Sequence, residues 1–142
     1  MATDFQRFNE NLIADFRANG GQASGGPFLG RPLVLLTTVG ARSGQPRTTP
    51  LVYTRDGDRY VVIASKGGAP SHPAWYHNIL ANPEVTLEVG SETFKARATP
   101  AQGEERDRIY AQVASVMPAF ADYERKTTRR IPVVLLERTP GP

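Results

Sequence analysis

Three extended runs follow one another in the first half of this chain with only turn chemistry between them. Residues 33–38 form a continuous apolar run, and residues 47–55 resume with Thr48, Thr49, Val52, Tyr53 and Thr54. After Asp56-Gly57, a hairpin signal, residues 60–64 make the third. Parallel strands need a crossover of a dozen or more residues, so three runs this close must pair antiparallel. That excludes a βαβ fold and points to a sheet that curls to hide its edges.

The rest of the chain agrees with this. Residues 84–89 and 92–98 alternate polar and apolar around Gly90-Ser91, as a second hairpin with one wet face does. Residues 131–136 are another continuous apolar run, with Pro132 limiting pairing near its start. Three helices are expected. The first spans residues 3–18, where Thr3 and Gln6 can form a capping box and Phe5, Phe8, Leu12, Ile13 and Phe16 form a stripe. The second spans residues 71–82, with Pro73 at or near its start. The third is opened by a capping box at Thr99 and Gln102 and carries Ile109, Val113, Val116 and Met117 on one face. Residues 19–26 read as a flexible connection that could let the first helix move over a site. The expected architecture is α+β, a mostly antiparallel barrel of six strands and three helices, forming a single domain over residues 1–142.

Composition excludes several functions. There is no cysteine, hence no disulfide or thiolate chemistry, and only two histidines without a carboxylate set around them, so no metal site is expected. A net charge of +3, from 17 Lys and Arg against 14 Asp and Glu, is too mild for a nucleic-acid protein and suits an anionic small molecule. No apolar stretch is long enough to span a membrane and no signal peptide is visible, so a cytoplasmic location is expected. Oligomeric state cannot be read. The stripe on the first helix leaves open core packing or peripheral contact with a membrane.

Two segments could carry chemistry. Residues 40–47 hold two glycines, a serine, Arg42, Arg47 and no acid. Glycines let backbone N–H groups turn toward an anion, and arginines supply planar donors for phosphate or carboxylate. Residues 64–73 run from a strand end through Lys66-Gly67-Gly68 to a proline-started helix, whose first turn offers unpaired N–H groups. Both could equally be plain connections, and neither matches a P-loop or a dinucleotide fingerprint. They flank the same strands, so both could face one ligand. Ser43 and Ser65 lack an evident His–acid partnership. Few acid–base groups around an anion cradle suit an enzyme whose cofactor does the hard chemistry.

The series Thr37-Thr38-Val39-Gly40-Ala41-Arg42-Ser43-Gly44-Gln45-Pro46-Arg47, then Pro50-Leu51, Ala64-Ser65-Lys66-Gly67-Gly68, Pro73-Ala74-Trp75-Tyr76-His77-Asn78 and Ala81-Asn82-Pro83 resembles the deazaflavin-dependent nitroreductases. The likeness includes Arg130-Ile131-Pro132-Val133-Val134 and implies a split β-barrel related to flavin reductases. It also implies coenzyme F420, transfer of a hydride to a quinone, enone or nitro compound, and a mainly actinobacterial distribution. It further implies that Ala41, Arg42, Ser43 and Arg47 hold the phosphate and oligoglutamate tail of the coenzyme. Thr48, Thr49, Pro50, Leu51 and Val52 would run along the deazaflavin. Ile63, Ala64, Ser65 and Lys66 would close its other side with Ala74, Trp75, Tyr76, His77 and Asn78. Ser65 and Tyr123 become the catalytic candidates, and Phe120 would wall the site. Prodrug-activating members carry tyrosines along residues 117–123, where this chain keeps only Tyr123 and has Met117 and Phe120 without the hydroxyl. They also carry an aromatic where it has Val52. The resemblance therefore carries cofactor binding further than it carries reduction of bicyclic nitroimidazoles. A coenzyme-storage role and a membrane-docked quinone reductase are the alternatives.

Overall fold

The structure is a computed structural model and describes residues 3–140; the ends of the expected 1–142 domain lie outside the described residues. Helix α1 (Asp4–Ala18) precedes strands β1 (Leu33–Val39), β2 (Pro46–Val52), β3 (Thr54–Asp56) and β4 (Arg59–Ile63). Then come α2 (Ala74–Ala81), β5 (Glu84–Val89), β6 (Glu92–Pro100), α3 (Gly103–Val116), α4 (Ala119–Lys126) and β7 (Val133–Arg138). Short 3-10 turns lie at Gly26–Phe28 and Lys66–Gly68.

All seven strands form one antiparallel sheet in the order β2-β1-β5-β6-β7-β4-β3. The two edge strands, β2 and β3, are separated in sequence by Tyr53 alone. The sheet must therefore curl until its edges meet, which makes it a split β-barrel. The single expected strand over residues 47–55 is this bent pair, one half on β1 and the other on β4. Pro50, which lacks an N–H, is tolerated because β2 is an edge.

Both faces of the central strands are covered, which explains the continuous apolar runs. On the inner face, Val34, Leu36, Val62, Leu87, Phe94, Val134 and Leu136 enclose Trp75 and Ile79 of α2. On the outer face, Leu12 and Phe16 of α1 cover Leu33 and Leu35, while Ile109, Tyr110 and Val113 of α3 cover Val61, Ile63, Val133 and Leu135. Burying a side chain of this size contributes about 1.5–3 kcal/mol. The hairpin β5–β6 keeps a wet outer face, as its alternation predicts.

Several expectations are corrected. Helix α1 has the capping box from Thr3 and Gln6. The second one fails, because Thr99 and Pro100 belong to β6, opposite Leu135 and Val134. Pairing with β7 satisfies that backbone, so α3 starts later, after Gln102, without a side-chain cap. Val116, expected on the apolar face, is exposed, and Arg106 occupies the buried face instead. Helix α2 starts at Ala74 with Pro73 as its cap. Helix α4 adds a fourth helix, and the division of β2 and β3 adds a seventh strand.

The expected flexible connection at residues 19–26 is fastened. The Ser24 N–H and hydroxyl both donate to the Asp15 carboxylate, at 2.8 and 2.6 Å, and hold its pKa below the usual range. Gly21, at φ +93, touches the β5–β6 turn so closely that a Cβ would stand 2.3 Å from Gly90 Cα.

Candidate functional site

Strand directions alternate across the sheet, so β1, β4 and β6 end at the same rim where β2, β5 and β7 begin. The two segments singled out above, which follow β1 and β4, open at that rim. Helix α2 joins them. Its N-terminus continues the second loop, and Asn78, one turn later, holds the first. The buried Asn78 side chain accepts the Ala41 N–H at 2.9 Å and donates to the Thr38 hydroxyl at 3.0 Å.

The first loop is shaped by its own backbone. Gly40 N–H donates to the Gln45 carbonyl at 2.8 Å, and Gly44, at φ +69, donates to the Gly40 carbonyl at 2.9 Å. A Cβ on Gly40 would stand 2.5 Å from Ser43 Oγ and 3.3 Å from the Gln45 carbonyl oxygen, so a side chain there would displace the Ser43 hydroxyl. Ser43 Oγ accepts the Gln45 N–H. The N–H groups of Arg42 and Ser43 donate to no backbone carbonyl among the described residues. Ala41, Arg42, Ser43 and Arg47 are all exposed, and neither arginine meets a carboxylate among the described residues.

Beside this loop, β2 offers a half-buried edge of Thr48, Thr49, Pro50, Leu51 and Val52. Thr48 is tied to Thr37 by a hydroxyl pair at 2.8 Å, while Leu51 and Val52 lean into the inner and outer cores. Across the rim, Ile63 and Ala64 are buried, as is Ser65, and Lys66 is exposed with its ammonium 3.3 Å from the Ser71 hydroxyl. Trp75 is packed in the inner core and Tyr76 partly so, whereas Ala74 and His77 face outward. The barrel interior is therefore filled by side chains. Phe120 and Tyr123 meet edge to face at 5.5 Å on α4, pack on the α3 side, and lie over the turn that carries Lys66.

Two further residues organise the site without having been singled out for it. Arg129, just ahead of β7, donates to the carbonyls of Ala64, Ser65 and Ala69 at 3.2, 2.6 and 2.8 Å, and its Nη1 lies 3.0 Å from His72 Nδ1. Burial, then Arg129 and His77, hold the His72 pKa below the usual histidine range, so Nδ1 accepts. No local pattern marks Arg129, because the β4–β7 register that brings it beside residues 64 to 69 belongs to the folded sheet. Tyr110 ties α3 to α4 through a hydroxyl that donates to the Phe120 carbonyl at 2.6 Å, and burial pushes its pKa up to about 12.

Two cavities lie away from the rim. One of about 260 Å³, between α1 and residues 25–28, is lined mostly by apolar groups with Asn11 and with Asp15, whose carboxylate is already engaged. The other, of about 210 Å³, adjoins Arg17 and Glu88, which pair with each other. Neither holds a cation without a carboxylate partner. No group of three or more metal-ligating side chains occurs among the described residues.

Known proteins share this sequence and fold. The profile of the F420H(2)-dependent quinone reductases matches residues 10–138. The F420H(2)-dependent quinone reductase Rv1261c of Mycobacterium tuberculosis is 46% identical over 112 residues, which cover 75% of this chain and 74% of that one. The solved structure of an F420-H2 dependent reductase, FDR-A, is 42% identical and superposes with a TM-score of 0.69 over 75% of this chain and 95% of its own. Another, described as a domain-swapped dimer, is 37% identical, with a TM-score of 0.71 over 94% of this chain and 98% of that one. The chain belongs to the F420H(2)-dependent quinone reductase family, oxidoreductases whose cofactor is the reduced deazaflavin F420.

Proposed function

We propose that this chain passes a hydride from reduced F420 to a flat quinone held along the rim, with enones and nitro compounds as further acceptors. The observation that carries the reading is the pairing of two loops at one rim, one with unpaired Arg42 and Arg47, the other with Lys66. The donor set fits the coenzyme. Two guanidinium groups and the N–H groups of Arg42 and Ser43 match a phosphate with an acidic tail, and Gly40 and Gly44, without side chains, let an anion come near the backbone. The edge of β2 from Thr48 to Val52 provides a half-buried shelf for a planar ring.

When bound, the reduced coenzyme supplies the hydride; the protein supplies position and polarity. Arg42 and Arg47 anchor the anionic end, which leaves Ser65, Lys66 and the outward residues Ala74 and His77 to border the reacting end. Holding two reactants in line is worth roughly 7–11 kcal/mol of a bimolecular barrier. The Ser65 hydroxyl, which makes no hydrogen bond among the described residues, would donate to the acceptor oxygen as that oxygen gains charge. The acceptor takes up a hydride and a proton and leaves as the hydroquinone. Tyr123 borders the acceptor side and contributes a wall rather than a proton. The relatives are reductases by name, which favours turnover over storage.

The test is anaerobic oxidation of F420H2 by a soluble quinone. Ser65→Ala should lower turnover by about 10- to 100-fold with little change in F420 affinity. A variant with normal turnover and weakened F420 binding would instead make Ser65 a coenzyme contact.

Contact with a membrane that carries lipid quinones is a second reading, favoured by one observation. Phe5 and Phe8 of α1 are 71% and 42% exposed, with Leu29 exposed as well. No helix among the described residues is long and apolar enough to cross a membrane. Vesicle flotation of the wild type against Phe5→Ser with Phe8→Ser decides it; equal behaviour removes the reading.

A further inference from the structure

The turn at Lys66–Gly68 is held more firmly than a connection requires. Lys66 sits at φ +49, a left-handed conformation that a residue with a side chain keeps only where its surroundings impose it. On one side, Gly68 lets α4 rest on the turn. A Cβ there would stand 3.0 Å from both the Tyr123 carbonyl and Lys126 Cβ. On the other side, Arg129 directs four of its five N–H bonds at the turn and its flanks. Nε serves the Ala69 carbonyl, Nη2 the Ser65 carbonyl, and Nη1 both the Ala64 carbonyl and His72 Nδ1. Neutral side chains could satisfy these carbonyls one at a time. Only a planar fork reaches all of them from one point.

Arg129 also differs from its neighbour in charge balance. Arg106 grips the Ile131 carbonyl with two N–H bonds, at 3.1 and 2.7 Å, but lies within ion-pair distance of Asp107 and Glu124. Arg129 meets no carboxylate among the described residues. Its partners are carbonyl dipoles and one ring nitrogen, so a positive charge stays behind the loop that faces the anion cradle.

We propose that Arg129 is a positioning residue of the reductase: by gathering the carbonyls of Ala64, Ser65 and Ala69, it sets the turn that presents Ser65 and Lys66 to the coenzyme. His72 completes the arrangement by accepting the remaining N–H of Nη1. This role rests on the reading that F420 binds at the rim. It does not require Arg129 to touch coenzyme or quinone.

The test compares Arg129→Lys with Arg106→Lys in the full chain. Three quantities are read: melting temperature, amide exchange of Gly68 and Ala69 in the coenzyme-free protein, and affinity for oxidised F420 by fluorescence. Those two amides donate to Ser65 and Lys66 across the turn, so their exchange reports on it directly. Lysine keeps the charge and loses the fork. Arg129→Lys should speed both exchange rates and weaken F420 binding, each by about tenfold or more. Added methylguanidinium should restore part of the binding in Arg129→Ala. Arg106→Lys should lower the melting temperature and leave exchange and affinity within about twofold. Unchanged exchange and affinity in Arg129→Lys would overturn the positioning role alone, as would equal weakening by Arg106→Lys. Failure of the wild type to bind F420 would overturn the reductase reading and this role with it.

Discussion

The two ends of the barrel use arginine in opposite ways. At the end away from the rim, Arg17 grips Glu88 with two bonds, Arg59 and Arg108 share Asp56, and Arg138 meets Glu92. Arg55 there lies over the Tyr60 ring. At the rim, Arg42, Arg47 and Arg129 have no carboxylate partner among the described residues, and Lys66 has only a serine hydroxyl. Arg17, Arg59, Arg108 and Arg138 are matched by carboxylates, and these four cations of the rim are not. Exposed pairs add little stability, with a median of about 0–1 kcal/mol, so the paired end is mostly surface chemistry. Arg42 and Arg47 thus keep donors free for a ligand, while Arg129 directs its own to the backbone behind Ser65. The mild charge of +3 is thus less informative than where its balance fails.

Substitutions at the two ends should separate accordingly. Replacing both Arg42 and Arg47 with alanine should weaken F420 binding by about 100-fold or more, since charge-assisted hydrogen bonds contribute roughly 1.5–3 kcal/mol each. Arg17→Ala should leave binding unchanged, and equal losses from the two would erase the contrast. Gly21→Ala attacks the far end through strain, because a Cβ would collide with Gly90 at φ +93. A loss of about 2–4 kcal/mol in denaturant unfolding is expected, with F420 affinity intact at temperatures where the protein stays folded.

Asn78→Ala should release the Ala41 loop, at a cost of about 1–3 kcal/mol in stability and about tenfold in F420 affinity. An affinity loss without any stability loss would mean instead that Asn78 touches the coenzyme. The smallest effect is expected from pH. The folded pKa of His72 lies below its unfolded value, so the unfolded chain binds the proton more tightly. Stability is full above the ordinary histidine range near 6.5 and falls as pH drops through the lower folded value. His72→Asn should flatten that slope between pH 7 and 5 in thermal melts. An unchanged slope would remove His72 from the Arg129 arrangement.

Much of the fold was legible because its signals are local. Asp56-Gly57 and the turn at residues 40–45 separate the strands, and alternation marks β5 and β6 as half-wet. The curl was legible only in kind. That Tyr53 divides one long strand between two edges follows from closure, which no local pattern encodes. Helix α4 was missed because Pro118 reads as an end and Phe120 and Tyr123 give a stripe too short to count. Within the site, the residue types of the first loop announced an anion. Arg129 and Asn78 did not, because each acts on backbone groups far away in sequence: Arg129 on residues 60 to 65 positions earlier, and Asn78 on residue 41. Trp75 reads by itself as helix packing and only the resemblance puts it beside the ring; its burial places it in the inner core.

The central claim is that Arg42 and Arg47 at the rim hold the coenzyme. Titration of the purified protein with oxidised F420, followed by fluorescence with flavin mononucleotide as control, tests it most directly. Saturable binding of F420 in preference to the flavin is expected, weakening as salt rises and lost in the Arg42→Ala, Arg47→Ala double variant. Binding that ignores both salt and the double substitution, or that prefers the flavin, would contradict the account.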